Sequence, residues 1–215
     1  MNILITRPLI DSEDLMGKLF SLGHKIVHIP TLKISAAKVS SVDAKKYDAF
    51  IFTSANAIRN LKLKNQDNNK ICFCVGSITE KLVRQKGYNN TISAGGTVNA
   101  LKNIILNSDQ IDEKKSIAYF CGDYISSNLD IELKNEGFQI DKIINYTSEK
   151  ITDLNEENNK IINNHPPDII FIYSKRSAES FIEIAKKYSL KGLMTESTVL
   201  CISEKVLEVI KKSGL

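Results

Sequence analysis

The chain is poor in cysteine, arginine and long apolar runs, and each shortage excludes something. Four cysteines in 215 residues are too few for a disulfide scaffold. No apolar run approaches the ~18 residues of a membrane helix. MNILITRP at the start lacks the basic segment and apolar stretch of a secretory signal. A thiol-reduced, cytoplasmic protein with no membrane partner is the expectation. The basic residues are nearly all Lys, with only Arg7, Arg59, Arg84 and Arg176 as Arg, and they are interspersed with acids. A net charge of +4 spread in this way lacks the concentrated basic face of nucleic-acid proteins, so no nucleic-acid partner is expected. With 42% apolar and 25% charged residues, the composition is ordinary globular.

What is present is a repeated unit. A short β-branched run leads into Gly, Ser or Thr, then an amphipathic helix, then Gly and a further apolar residue. Residues 71–88 show it as ICFCV, Gly76-Ser77, ITEKLVRQK and Gly87-Tyr88. Ser77 and Glu80 have capping-box spacing. Ile78, Leu82 and Val83 are placed on one helical face, and Gly87 suits a left-handed helix end. The unit recurs at 117–138 and 199–215 and opens the chain as ILIT, Arg7-Pro8, a helix, Gly23 and KIVHIP. Two more strands, DAFIF and DIIFIY, lead into Thr53-Ser54 and Ser174-Lys175. Strands alternating with helices predict an α/β fold with parallel sheets. Their unbroken apolar runs predict burial on both faces.

Residues 29–47 and 139–152 read as extended, polar stretches. They divide the chain into a discontinuous first α/β domain, 1–35 plus 149–215, and an inserted second α/β domain, 36–148. The two crossing segments suggest a short two-strand link. Residues 153–164 predict a helix with Leu154, Ile161 and Ile162 inward, ended by Pro166-Pro167.

Parallel sheets bring strand C-termini to one edge, where ligands bind. Here the turns are Thr6-Arg7, Thr53-Ser54, Gly76-Ser77, Gly122-Asp123, Ser174-Lys175 and Ser203, with Asn56 just behind Ser54. Each is expected to open a helix, whose free N–H groups and dipole attract anions. Arg7, Lys175, Arg176 and Lys205 add positive charge. A cleft for several carboxylates or phosphates is one reading; simple helix capping is the other. No P-loop, G-x-G-x-x-G or G-x-S-x-G is present. Cys72 and Cys74 share one face of a strand and point to the core. No His or further Cys stands near them, so no metal is expected. His24 and His28 lie in a strand, ~13 Å apart, and His165 lies in a Pro-rich loop. Tyr146, in INYTSEK, is either a core tyrosine or a phenol able to donate a proton.

These stretches together resemble the uroporphyrinogen-III synthase family. The likeness is carried by ILITRP (3–8), IPTLKI (29–34), YDAFIFTSANAI (47–58) and CFCVGSITEKLVRQKGY (72–88). It continues through YFCGDYISSNLDIELKNEGFQIDKIINYTS (119–148), DIIFIYSKRSAESF (168–181) and VLCISEKVLEVIKKSG (199–214). The resemblance implies two flavodoxin-like α/β domains joined by a two-strand linker, with the active site between them. It implies a monomer that closes hydroxymethylbilane, a linear tetrapyrrole with carboxylate side chains, to uroporphyrinogen III. Water is lost and the last ring is inverted through a spiro intermediate. It implies no cofactor or metal. Tyr146 takes the position of the family's tyrosine that helps the hydroxyl leave, and Ser54, Ser174 and Ser203 match its cleft turns.

Two features depart from the family pattern. The last turn, Ser203-Glu204-Lys205-Val206, has Glu and Lys where many members have Thr. The chain also stops at Leu215, where the family usually adds a strand and helix, so an open sheet edge is expected. A non-enzymatic binder of a small polyanion is the alternative function. A flavodoxin-like nucleotide or flavin protein is a weaker one, because Thr6-Arg7-Pro8 makes a poor phosphate loop.

Overall fold

The computed structural model describes residues 1–214. In chain order the elements begin with β1 (Asn2–Ile5), α1 (Leu9–Ser21), β2 (Lys25–His28), β3 (Leu32–Ala36) and β4 (Val42–Asp43). A single 3-10 turn (Ala44–Lys46) precedes β5 (Ala49–Phe52), α2 (Ala55–Arg59), β6 (Leu63–Lys64), β7 (Ile71–Cys74) and α3 (Ser77–Gln85). Next come β8 (Thr91–Ser93), α4 (Val98–Leu106), β9 (Ser116–Gly122), α5 (Leu129–Asn135) and β10 (Gln139–Lys150). The chain continues with α6 (Glu156–Asn164), β11 (Ile169–Ile172), α7 (Lys175–Lys187), α8 (Lys191–Thr195), β12 (Thr198–Cys201) and α9 (Glu204–Lys212). These elements form two compact units. Unit 1 is Met1–Lys33 with Glu149–Leu215, and unit 2 is Ile34–Ser148.

Unit 1 is built on a parallel sheet in the order β12-β11-β1-β2. Leu4, Val27, Ile170 and Ile172 point to one face, where they meet Phe181 and Ile184 of α7, Val206 and Ile210 of α9, and Ile162 of α6. The strands are β-branched and the helices carry apolar residues three and four apart, so each element buries the face its own period creates. The α6 helix starts at Glu156 under the Asn155 cap, so buried Leu154 precedes the helix rather than belonging to it. In sequential strand numbers the unit's order reads 2-1-3-4, the flavodoxin-like order.

Unit 2 carries the sheet β3-β10-β9-β5-β7-β8, in which β10 through β8 pair in parallel. Among those five strands the order reads 3-2-1-4-5, the other doubly wound arrangement. Alternate residues of the same strands fill two cores. Ala49, Ile51, Phe73, Ile117 and Tyr119 meet Leu101, Ile105, Leu129 and Leu133 on one side. Phe50, Phe52, Cys72, Cys74 and Phe120 meet Ala57, Ile58 and Val83 on the other. The Phe52 and Phe120 rings stack at 5.4 Å and 13°, and Phe50 meets Phe120 edge-on. Two-sided burial is why these strands show no polar alternation.

Local details depart from the sequence expectations at α3. Gly76, extended at φ −155°, is the cap, and Ser77 is already helical without a capping hydrogen bond. Glu80 accepts from the Thr91 hydroxyl at 2.8 Å and pairs with Arg84 at 2.9 Å, so no capping box forms. The Thr91 bond, then Arg84, holds its carboxyl below the usual range. Thr79 and Val83 face the core, whereas Ile78 is 60% exposed. Gly23, Gly87 and Gly137 end their helices at positive φ, where a side chain would be strained. Among the described residues, no helix is long and apolar enough to cross a membrane.

Candidate functional site

In both units most candidate residues lie at or just beyond the C-terminal ends of parallel strands, whereas Tyr146 lies within β10. Ligands of doubly wound sheets bind beyond those ends, at the point where strand order reverses. In unit 1 that point lies between β1 and β11, bounded by Thr6-Arg7 and Tyr173-Ser174. In unit 2 it lies between β5 and β9, bounded by Thr53-Ser54 and Gly122.

The unit 1 turns rest on a buried hydroxyl network. The Thr31 and Ser177 hydroxyls lie 2.7 Å apart, and Thr31 also donates to the Thr6 carbonyl. Ser180 donates to the Thr31 and Ile151 carbonyls at 2.8 and 2.7 Å. This network ties the end of β1, the segment after β2, the segment after β10 and the first turns of α7. Thr6 belongs to it: it is fully buried and donates to the Phe171 carbonyl at 2.6 Å. Its expected place as a ligand contact is therefore corrected to a structural one, because the hydroxyl is already spent on the backbone. Nor does Thr6-Arg7 itself open a helix, since Pro8 caps α1.

Ser174 caps α7, accepting from the Ser177 N–H at 3.0 Å. An accepting hydroxyl keeps its own proton to donate. Lys175 extends from the first turn, 3.9 Å from Glu179 and 61% exposed. Arg176 is on the same turn, with its Nε buried. Ser203 caps α9 in extended geometry, exposed and making no side-chain cap bond. Lys205 is exposed and has no ion pair among the described residues. Arg7 contacts Asp11 at 3.7 Å and lies over the Tyr173 ring at 5.2 Å.

The unit 2 turns carry fewer charges. Ser54 caps α2 by accepting from the Asn56 N–H at 3.1 Å, and the Asn56 side-chain carbonyl accepts from Arg59. Thr53 and Tyr119 share a hydroxyl contact at 3.1 Å. Burial pushes the Tyr119 phenol well above its ordinary value. Gly76 and Ser77 open α3.

Gly122 and Asp123 require correction. They open no helix, because α5 begins at Leu129 under Asn128. Gly122 is buried beneath Tyr146: a Cβ on it would meet the ring at 2.7 Å and the hydroxyl at 2.9 Å. Asp123 accepts from the Ser148 N–H at 2.9 Å and carries the wrong charge for an anion contact. Tyr146 itself is 8% exposed and joins the Phe50, Phe52 and Phe120 core, with β10 shifting register between Ile144 and Tyr146. A bulge of this kind re-aims a side chain, and Gly122 makes room for the result.

Sequence reasoning missed Tyr173 and the Thr31, Ser177 and Ser180 network. The available signals were an aromatic directly before a capping serine and two hydroxyl residues three apart in α7. The cysteines behave as core residues. Burial raises Cys72, pushes Cys74 up to about 12 and Cys121 up to about 11. His28 bonds to the Arg7 carbonyl, and exposed His165 ends α6. Among the described residues no His, Cys, Asp or Glu side chains gather as a metal would require.

The fold defines a protein of two doubly wound α/β units, each with polar turns at the strand ends beside its switch point. The chain belongs to the uroporphyrinogen-III synthase family, matching the family described as Uroporphyrinogen-III synthase HemD over residues 13–215. Members of that family are enzymes of haem biosynthesis. No curated protein sequence matches the chain. Among solved structures, it is similar to a uroporphyrinogen-III synthetase from Helicobacter pylori, with 17% identity and a TM-score of 0.66. That match covers 100% of this chain and 89% of the other. It is also similar to a mutant uroporphyrinogen III synthase from the extremely thermophilic bacterium Thermus thermophilus, with 13% identity and a TM-score of 0.62. That match covers 100% of this chain and 90% of the other. At such identities the likeness establishes the fold.

Proposed function

We propose that the protein is a lyase that removes water from hydroxymethylbilane and closes it to uroporphyrinogen III with the last ring inverted. Family membership over residues 13–215 is the observation that carries this reading. The strand-end turns support it chemically. The substrate is a polycarboxylate, and helix N-termini at Ser54, Gly76, Ser174 and Ser203 offer backbone donors to carboxylates. Lys175, Lys205 and Arg7 supply the opposite charge.

Catalysis is then largely orientation. The open chain closes spontaneously to the unrearranged isomer, so the protein must favour attack at the substituted carbon of the last ring. Holding the carboxylates folds the chain into that geometry. Protonation and loss of the hydroxyl as water give an azafulvene cation, whose methylene carbon is attacked by the substituted carbon of the last ring to form the spiro intermediate; fragmentation and reclosure follow. Tyr146 assists the hydroxyl's departure. A neutral phenol is a weak acid, so its share is modest. The protein works on this small molecule as a cytoplasmic monomer, without nucleic acid or membrane.

The test is the isomer composition of the product. Hydroxymethylbilane is generated in situ, the protein is added, and the oxidised porphyrins are separated by chromatography. Isomer III in excess is expected. Isomer I alone, as without protein, would overturn the reading.

A further inference from the structure

We infer that Tyr173 is a positioning residue, whose ring holds the Arg7 guanidinium at the unit 1 switch point for capture of a substrate carboxylate. The inference rests on the reading of the protein as an enzyme of a polycarboxylate substrate. The β1–β11 register pairs Ile5 with Phe171, and carrying it two residues further sets Arg7 opposite Tyr173. Strand alternation places both side chains on the face opposite Leu4, Ile170 and Ile172. The Tyr173 ring stacks on Phe171 at 6.1 Å and 17°, which fixes its plane. The Arg7 guanidinium carbon lies 5.2 Å from the Tyr173 ring centroid.

This geometry uses guanidinium chemistry that a lysine lacks. A guanidinium held by its face on an aromatic ring keeps its planar fork of N–H donors for a bidentate carboxylate. The contact to Asp11, 3.7 Å through Nε, is longer than a hydrogen bond. An incoming carboxylate can therefore add to Arg7 without breaking a tight bond. The Tyr173 hydroxyl points the same way. Its oxygen is buried and makes no hydrogen bond among the described residues. The contacts that Tyr173 makes to Arg7 and Phe171 are therefore made by its ring. The same register runs on to β12, where Phe171 pairs with Leu200 and Ile172 with Cys201; one step further sets Tyr173 beside Ile202. Ile202 is 66% exposed, which gives the pyrrole rings of a bound substrate an apolar neighbour beside the cation.

The probe is uroporphyrin III, a stable octacarboxylate, with binding followed by porphyrin fluorescence at low salt. Tyr173→Leu is expected to weaken binding about three- to tenfold, the size of a partly desolvated cation–π contact. Tyr173→Phe recovers most of that loss. In an Arg7→Gln background the Tyr173→Leu change adds nothing, a non-additivity that a purely structural role would not produce. Arg7→Lys keeps the charge, loses the planar fork and weakens binding as Tyr173→Leu does, which supplies a readout should the leucine variant not fold.

Several results would overturn the inference. They are wild-type affinity in Tyr173→Leu, an undiminished loss in the Arg7→Gln background, a Phe variant as weak as the Leu variant, and no probe binding by the wild type. A wild type that yields only isomer I while keeping the Arg7–Tyr173 coupling would sink the catalytic reading and leave this inference standing.

Discussion

The two units use the same doubly wound plan yet arm their switch points differently. Unit 1 surrounds its strand ends with cations: Arg7, Lys175, Arg176 and Lys205. It fixes those ends with a buried network of Thr31, Ser177 and Ser180. The corresponding turns of unit 2, Thr53-Ser54, Gly76-Ser77 and Gly122, carry no cation, and a buried phenol packs over Gly122. The difference suggests a division of labour. On the proposed function, unit 1 would hold the substrate's carboxylates, while unit 2 would offer neutral donors and the Tyr146 proton.

Breaking the unit 2 arrangement should have the largest effect. Gly122→Ala drives a methyl group into the Tyr146 ring from a backbone that cannot retreat within the sheet. A loss of about 1–3 kcal/mol of stability is expected, seen as a lower melting temperature, together with most of the activity. Tyr146→Phe keeps the packing and removes the proton. Turnover should fall about tenfold with KM little changed, measured as initial rates against substrate; the size follows from a weak acid giving less than general-acid catalysis commonly does. Unchanged turnover would remove Tyr146 from the mechanism.

The unit 1 changes are smaller. Ser180→Ala strips the Thr31 and Ile151 carbonyls of a buried donor and should cost about 1 kcal/mol in denaturant unfolding. Lys205→Gln removes an exposed charge; KM should rise about two- to fivefold, with the difference shrinking as salt is added. The smallest effect concerns the thiols. Burial raises Cys72, Cys74 and Cys121, so at pH 8 almost none of each is thiolate, and reactivity grows only as pH rises toward the shifted values. Half-exposed Cys201 should be labelled first by a thiol reagent. Earlier labelling of Cys74 would mean that the unit 2 core opens locally.

The fold was largely legible, because its signals are periodic and local. AFIF, ICFC and SIAYFCG have no polar alternation, and two-sided burial in parallel sheets is what that pattern means. Gly23, Gly87 and Gly137 marked helix ends because a left-handed turn is a local demand. The site was legible only as a set of turns. Thr6 and Ser174 look alike in sequence, yet one hydroxyl is sealed against the Phe171 carbonyl while the other caps a helix. The difference lies in which strand runs alongside, and no local pattern records it. Gly122 reads in sequence as a strand-end turn that opens a helix, and its requirement comes instead from the ring of Tyr146, well further along the chain. Ser77 and Glu80 had the right spacing for a box, but Thr91 and Arg84 offered Glu80 better partners.

The division between the units is tested most directly by saturation kinetics on isomer III formation, with Lys205→Gln and Tyr146→Phe compared side by side. The account predicts that saturating hydroxymethylbilane restores the wild-type rate to Lys205→Gln and leaves Tyr146→Phe slow. A Lys205→Gln protein that stays slow at saturation, or a Tyr146→Phe protein that recovers there, would contradict it.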